Sequence, residues 1–309
     1  MKRLLILLCL ALALPFAGAW AEDSGMVTFG NVSVQKYTSY VDMGGQVVTD
    51  WEAFYSFLAQ LPDVEKVDMF ATVVEKKDIT QLEARFPNIK FGWTIHFAKA
   101  HYIRTDQTAF STLHGSCDLH YSKDLEVLKY CTELLALDIG HNDLTDISFL
   151  SSLTKLRVLI LACNERLRDI SVLSQLKDLE YLELFSCNIR DISALEGLDH
   201  LMDLNIAYND ITKYGVLNQM TNLKRLWIPQ SGVPCAGAEF RKLQADLPNT
   251  LIMNKGHPTN YGWREGNHYE TIYAMFRANE YMPFEDSYPL ETEDEDTLMM
   301  EEELPEAEN

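Results

Sequence analysis

The chain has 309 residues, 47% hydrophobic and 23% charged, with a formal net charge of −20. Those proportions describe a globular chain of one large or two modest domains. An acidic chain with no basic stripe to neutralise phosphates excludes a nucleic-acid partner.

Residues 1–21 read as a secretory signal peptide. Lys2 and Arg3 give a positive start, Leu4 to Leu14 is almost entirely apolar, and Ala19-Trp20-Ala21 has the small-x-small form of a cleavage site. The apolar run is shorter than the roughly 20 residues a spanning helix needs. Cys9 lacks the small residues that precede a lipoprotein cysteine, and no second apolar stretch follows. The expectation is a mature chain without a membrane span, secreted or otherwise extracytoplasmic. Surface attachment is unassigned, since no sortase motif or wall-binding repeat stands out.

Residues 22–111 alternate helical and strand patterns and read as an N-terminal capping region. Trp51, Phe54, Tyr55 and Leu58 fit a helix, with Thr49 and Glu52 spaced as a capping box. Ile79, Leu82 and Phe86 fit a second helix, which Pro87 ends. Ile89, Phe91, Trp93, Ile95 and Phe97 then alternate as a strand with one buried face. "FLAQLPDV", "LEARFPNI" and, far downstream, "LQADLPNT" share a helix-end-then-Pro form, which suggests helix–strand units continuing into both ends of the middle region.

The middle of the chain is periodic. Asp-Ile-Ser stands at 146–148, 169–171 and 191–193, and leucines fall into the same register. One unit runs Leu134, Leu137, Ile139, Asn142, Leu144, Ile147, Leu150, Leu153; the next runs Leu156, Leu159, Leu161, Asn164, Leu167, Ile170, Leu173, Leu176. A third has Leu179, Leu182, Leu184, Cys187, Ile189, Ile192, Leu195; a fourth has Leu201, Leu204, Ile206, Asn209, Ile211, Leu217; a fifth starts at Leu223, Leu226, Ile228 and fades. Pushed back one unit, the register sets Leu125, Leu128 and Cys131 where Ile147, Leu150 and Leu153 fall, and Cys117 where Ile139 falls. Alternating leucines share one face of a strand. A single unit cannot bury that row, whereas stacked units can.

The pattern L-x-x-L-x-L-x-x-[N/C]-x-[L/I] resembles the leucine-rich repeat family, in the short bacterial form found in internalins, over residues 112–233. The resemblance implies an α/β solenoid: right-handed, with a short parallel strand per coil on the concave side and 3₁₀ or extended turns on the convex side. Asn142, Asn164, Cys187 and Asn209 take the ninth position, a ladder of turns that satisfies backbone groups of adjacent coils. Asp146, Asp169 and Asp191 read as turn residues that accept the N–H groups following them. Coil four has Lys213-Tyr214-Gly215 in that slot, so an irregular convex side is expected there.

Residues 234–284 read as a C-terminal capping region, with Phe240, Leu243 and Leu247 on one helix. A last helix starts at Asn267, with Glu270 three residues on, and Tyr269, Ile272, Tyr273 and Phe276 are expected to cover the C-terminal end. Trp263 and Arg264 in the segment before it read as cap packing. Residues 285–309 hold 12 acidic and no basic side chains and read as a disordered acidic tail.

No residue pattern nominates catalysis. H-E-x-x-H, G-x-S-x-G and P-loop patterns do not occur. His114, Cys117 and His120 have metal-like spacing, but the repeat turns Cys117 inward and His114 outward, so neither a metal nor a cofactor is expected. The five cysteines after residue 21 are an odd number, which argues against a full disulfide framework, and a Cys163–Cys187 bridge is disfavoured because Cys187 points inward. The residues flanking each inward leucine should face out of the concave side. On coils three to five they include Tyr181, Glu183, Phe185, Asn205, Tyr208, Arg225 and Trp227, an aromatic strip of the sort that anchors partners. Five strands at about 4.8 Å spacing span about 20 Å, so the face offers on the order of 200–300 Å² against the roughly 800 Å² per side of a stable protein interface. The expectation is an exported, non-catalytic, monomeric module that binds an extracellular protein, peptide or glycan. The competing expectation is a secreted hydrolase or accessory subunit with its site in a flank.

Overall fold

A computed structural model describes residues 25–99, 101–113, 119–259, 262–265 and 267–284. The expected signal peptide, His114, Cys117 and the acidic tail lie outside the described residues. The chain divides into two compact units, one of residues up to Thr72 with Leu82–Gly92, the other of Val73–Gln81 with Trp93 onward.

In the first unit, β1 (Met26–Phe29) and β2 (Val32–Gln35) form an antiparallel hairpin. β3 (Tyr40–Asp42) leads to helix α1 (Trp51–Leu58), and β4 (Lys66–Val74) returns parallel to β3. The apolar face of α1 buries Phe54, Tyr55, Phe57 and Leu58, and Phe29 meets the Phe54 ring edge-on at 5.3 Å. The helix cap is Asp50, which accepts the Ala53 N–H at 3.0 Å, rather than Thr49. Glu52 is therefore free of capping duty and takes a two-pronged ion pair from Arg85, at the end of α2 (Lys76–Arg85).

The chain passes into the second unit within β5 (Lys90–Phe97), which forms an antiparallel hairpin with β6 (His101–Arg104). Seven parallel strands follow, one per coil: β7 (Ala109–Ser111), β8 (Ala136–Asp138), β9 (Val158–Ile160), β10 (Tyr181–Glu183), β11 (Asp203–Asn205), β12 (Arg225–Trp227) and β13 (Leu251–Met253). They form one sheet in chain order, and β3 to β6 are not part of it. The N-terminal helix–strand units thus do not extend the solenoid sheet, contrary to expectation. A parallel partner must arrive by a coil-type crossover, and β5 instead turns back antiparallel. The C-terminal unit does extend it, through α4 (Gly237–Asp246) and β13.

The register is that of the leucines. Leu137, Leu159, Leu182, Leu204 and Leu226 stand opposite one another and are fully buried. The first coil is longer than a back-count of 22 residues allows. Phe110 pairs with Leu137, so Thr112, not Cys117, stands where Ile139 does. A short helix α3 (Ser122–Leu125) then restores the register, and Leu125, Leu128 and Cys131 are fully buried.

On the convex side each of the five connections from β7 to β12 makes a 3₁₀ turn: Glu126–Tyr130, Ser148–Ser152, Ser171–Gln175, Ser193–Leu195 and Gly215–Gln219. Asp146, Asp169 and Asp191 each accept the N–H two residues on, at 2.8, 2.8 and 3.0 Å. Coil four keeps its turn without such an Asp, so the expected irregularity is absent. After each of β8 to β12 the chain reverses through a left-handed residue, with φ of 54° at His141, 59° at Cys163, 52° at Ser186 and Tyr208, and 49° at Gln230. That conformation costs an ordinary residue about 1 kcal/mol. Four of the five repay it by donating the N–H to the next coil, as in His141 to the Ala162 carbonyl at 2.8 Å.

Under these turns runs the amide ladder. Asn164 donates to the Ile139 and Leu161 carbonyls and accepts from Leu144 N–H. Asn209 does the same with Leu184, Ile206 and Ala207 carbonyls and Ile189 N–H. Asn142 reaches the Ile139 and Gly140 carbonyls and Thr112, and accepts from His120 N–H. Cys187 substitutes a thiol, Sγ to the Leu161 carbonyl at 3.4 Å, and burial pushes that thiol up to about 12. Cys131, Cys163, Cys187 and Cys235 are free. Among the described residues no helix is long and apolar enough to cross a membrane.

Candidate functional site: the concave face

Two of the three residues in each coil strand face away from the leucine core. On β8 to β12 these are Ala136 and Asp138, Val158 and Ile160, Tyr181 and Glu183, Asp203 and Asn205, Arg225 and Trp227, and all ten are buried. Residues 262–284 cover them. The expected open aromatic strip is thereby corrected: Tyr181, Glu183, Asn205 and Trp227 are fully buried, and Phe185 and Arg225 nearly so. Tyr208, on the left-handed turn at the rim, stays half-buried, with the His257 ring 6.1 Å away and Gln230 donating to its hydroxyl at 3.4 Å.

The covering segment crosses the strands from the last coils toward the first. Trp263 is fully buried, with its ring centre 5.1 Å from that of Trp227 and 5.3 Å from that of Tyr181. Its indole Nε1 donates to Glu183 Oε1 at 2.8 Å, and the Tyr181 hydroxyl donates to the same oxygen. Burial and the Glu183 charge push the Tyr181 phenol well above its ordinary value. Arg225 forks onto both oxygens of Asp203, at 2.9 and 2.8 Å, and its Nη1 donates to the Gly262 and Trp263 carbonyls at 3.0 and 3.3 Å. His268 Nδ1 lies 2.9 Å from Asp203 Oδ2. Burial alone would push the Asp203 carboxyl up, but Arg225 and His268 together hold it below its usual range. Asn205 donates to the Pro258 carbonyl at 2.7 Å.

Helix α5 (Asn267–Ala278) continues over β7 and β8, packing Ile272, Met275 and Phe276 against Ala109, Ala136, Val158 and Ile160. At its far end the Tyr281 N–H donates to Thr108 Oγ1 at 2.9 Å, beside β7. The helix begins at Asn267 as the spacing predicts, but it covers the concave face rather than the C-terminal end. Its apolar stripe meets the small and aliphatic outward residues of β7, β8 and β9, and that match sets the direction of travel.

Two features beside this face bear on chemistry. Asp138 on β8 accepts from Ser111 Oγ and Gly140 N–H, at 3.0 Å each, and burial pushes its carboxyl up to about 6. A cleft of about 450 Å³ opens beside β6 and β7, lined by His101, Tyr102, Phe110, Ser111, Phe276, Arg277 and Asn279. His120 pairs with His101, Nε2 to Nε2 at 2.9 Å. Among the described residues no three His, Cys, Asp or Glu side chains are placed to hold a metal ion.

The family description Leucine Rich repeats (2 copies) matches residues 132–175 and 154–199. With seven parallel strands in leucine register, that match decides the class. Residues 132–199 are leucine-rich repeats, and the coils form a leucine-rich repeat solenoid. No curated protein matches the chain. Among solved structures, internalin C2 of Listeria monocytogenes is 19% identical, over 70% of this chain and 80% of that one, at a TM-score of 0.38. The L. monocytogenes internalin InlF is 20% identical, over 66% and 65%, at 0.37. The ectodomain of the Arabidopsis receptor kinase HAESA, solved with a peptide hormone, is 18% identical, over 70% of this chain and 36% of that one, at 0.36. The sequence places the outward residues of this sheet, Asp203 among them, on one face, but does not show His268, Trp263 and Pro258 as the residues that cover them.

Proposed function

We propose that the protein is an exported, non-catalytic leucine-rich repeat module that binds a polypeptide on the concave side of its coils. One observation carries the reading: side chains of the concave strands already hold a peptide segment of distant sequence. Asn205 and Arg225 take the main-chain carbonyls of Pro258, Gly262 and Trp263, and Glu183 takes an indole N–H. Bonds to carbonyls suit any polypeptide, whereas the indole and imidazole contacts add selectivity. Export rests on the signal-peptide pattern of residues 1–21, and the acidic run of 285–309 reads as a solubilising tail. A monomer and the absence of a cofactor belong to the same reading.

The test is binding of the mature chain to arrayed proteins, peptides and glycans. Binding to polypeptides, weakened about tenfold by Tyr208→Ala at the rim with no change in unfolding midpoint, is the expected result. Binding to glycans alone, or hydrolysis of an arrayed substrate, would overturn it.

A further inference from the structure

The segment over the concave face has the marks of a ligand as well as of a core. Its polar contacts join residues far apart in sequence, 80 positions for Trp263 and Glu183, 65 for His268 and Asp203. The face beneath it on coils three to five is partly charged: Glu183, Asp203 and Arg225 stand among Tyr181, Phe185 and Trp227. A buried ion pair adds little net stability over apolar packing, so lifting the segment costs less than its area suggests. The approach to the segment is through Lys255, Gly256 and His257, all exposed, with Gly256 at φ 85°. Lifting the segment there unthreads no coil.

The fit is also incomplete at one point. Glu183 Oε2 is buried without a hydrogen bond, and its nearest cation, Arg264 Nη2, stands 3.7 Å away. Arg264 Nε is likewise buried without a hydrogen bond, although the side chain is about a third exposed. A carboxylate of this kind gains most from a two-pronged guanidinium. The segment held in place satisfies one oxygen of Glu183 fully and leaves the other for a better-placed donor.

We propose that residues 262–284 are a self-supplied ligand of the concave face, and that the external partner is a polypeptide presenting an indole beside a guanidinium at the head of an amphipathic helix, which takes their place. This rests on the reading of the chain as a polypeptide-binding module. The self-supplied segment holds the face closed until a partner with the same contacts, and a closer fork on Glu183, competes it away. Charge then separates partners from non-partners: an acidic residue in the guanidinium position meets Glu183 and is rejected.

The probe is a fluorescein-labelled peptide of residues 257–284, added to the full chain and followed by anisotropy. Against Trp263→Ala/His268→Ala, whose own segment is weakened while the sheet is intact, the peptide binds at least tenfold more tightly than against the wild type. The peptide carrying Trp263→Ala does not bind. Equal binding to both chains, or none to the folded double variant, overturns the proposal. Should the double variant not fold, a protease site placed at 255–257 in the otherwise natural full chain serves instead. The cut chain exchanges its segment for labelled peptide while the uncut chain does not; a cut chain that retains its segment against excess peptide overturns the proposal. Peptide exchange alongside an array on which neither cut nor uncut chain binds any polypeptide would sink the binding-module reading alone.

Discussion

The two faces of the coil sheet are buried alike and built differently. Inward stand Leu137, Leu159, Leu182, Leu204 and Leu226, one residue type in one row. Outward stand two regions: apolar Ala136, Val158 and Ile160 on the first coils, then Tyr181, Glu183, Asp203, Asn205, Arg225 and Trp227 on the later ones. The inward row is satisfied by neighbours about 22 residues away. The outward set is satisfied by residues far downstream, 80 positions on in the case of Glu183 and Trp263. Local repetition makes a solenoid core. Closing its concave side requires a distant segment that matches apolar with apolar and charge with charge.

The sharpest way to break this comparison is to remove one charge from the outward set. Arg225→Ala leaves Asp203 buried with only His268 beside it, and such a loss costs about 3–5 kcal/mol. Replacing Arg225 and Asp203 together by Met and Leu costs far less. Urea unfolding of the single and double variants checks this; a single variant as stable as the wild type would mean the segment lifts readily and the carboxylate is hydrated.

On the inward side, Leu182→Ala opens a cavity between coils and costs about 3–4 kcal/mol. No companion change in the concave segment rescues it, because its partners are the leucines of the adjoining coils. A double-mutant cycle with Trp263→Ala is expected to be additive within about 0.5 kcal/mol. A larger coupling would make the two faces one core.

Much of the inward face was legible in the sequence, and the reason is periodicity. Each leucine repeats its predecessor's environment, so one coil predicts the next. The outward positions were also read on the correct face. Their covering was not, because no period links Trp263 to Glu183. A signal was nevertheless present. Ala136, Val158, Ile160 and Ala162 stand at outward positions where an open sheet carries polar residues, and apolar residues on both faces mark a sheet covered on both. The amphipathic stripe of α5 is the complementary half of that signal. The N-terminal strands β1 to β4 were missed for a different reason: β1 to β3 are only three or four residues long, and the longer "KVDMFATVV" of β4 has mixed burial rather than clean alternation.

Asp138 sharpens the comparison by pH. It faces Ser111 and Gly140, with Glu183 and Arg264 the charges that act on it. Its carboxyl is raised from an ordinary 3.8 to about 6, so the native state holds a proton that the unfolded state has released. Its contribution is complete below about pH 4 and is lost as pH rises through 6, a decline of up to about 3 kcal/mol. Asp138→Asn lacks that decline. The difference between variant and wild-type unfolding free energies should therefore grow between pH 4.5 and 7; a constant difference would place Asp138 in a hydrated site.

The smallest effect belongs to the convex turns. Asp169 is exposed to solvent and accepts one N–H, from Ser171, which holds its carboxyl below the ordinary range. Asp169→Ala is expected to cost about 1 kcal/mol, the usual loss for a capping side chain. Coil four sets the upper bound. It forms the same 3₁₀ turn with Lys213-Tyr214-Gly215 in the corresponding slot, so the Asp stabilises a turn that inward packing of Leu217 already dictates. Thermal unfolding of Asp169→Ala beside the equivalent Asp146→Ala measures that share. A loss near that of Leu182→Ala would mean the turn directs the leucines, rather than the leucines the turn.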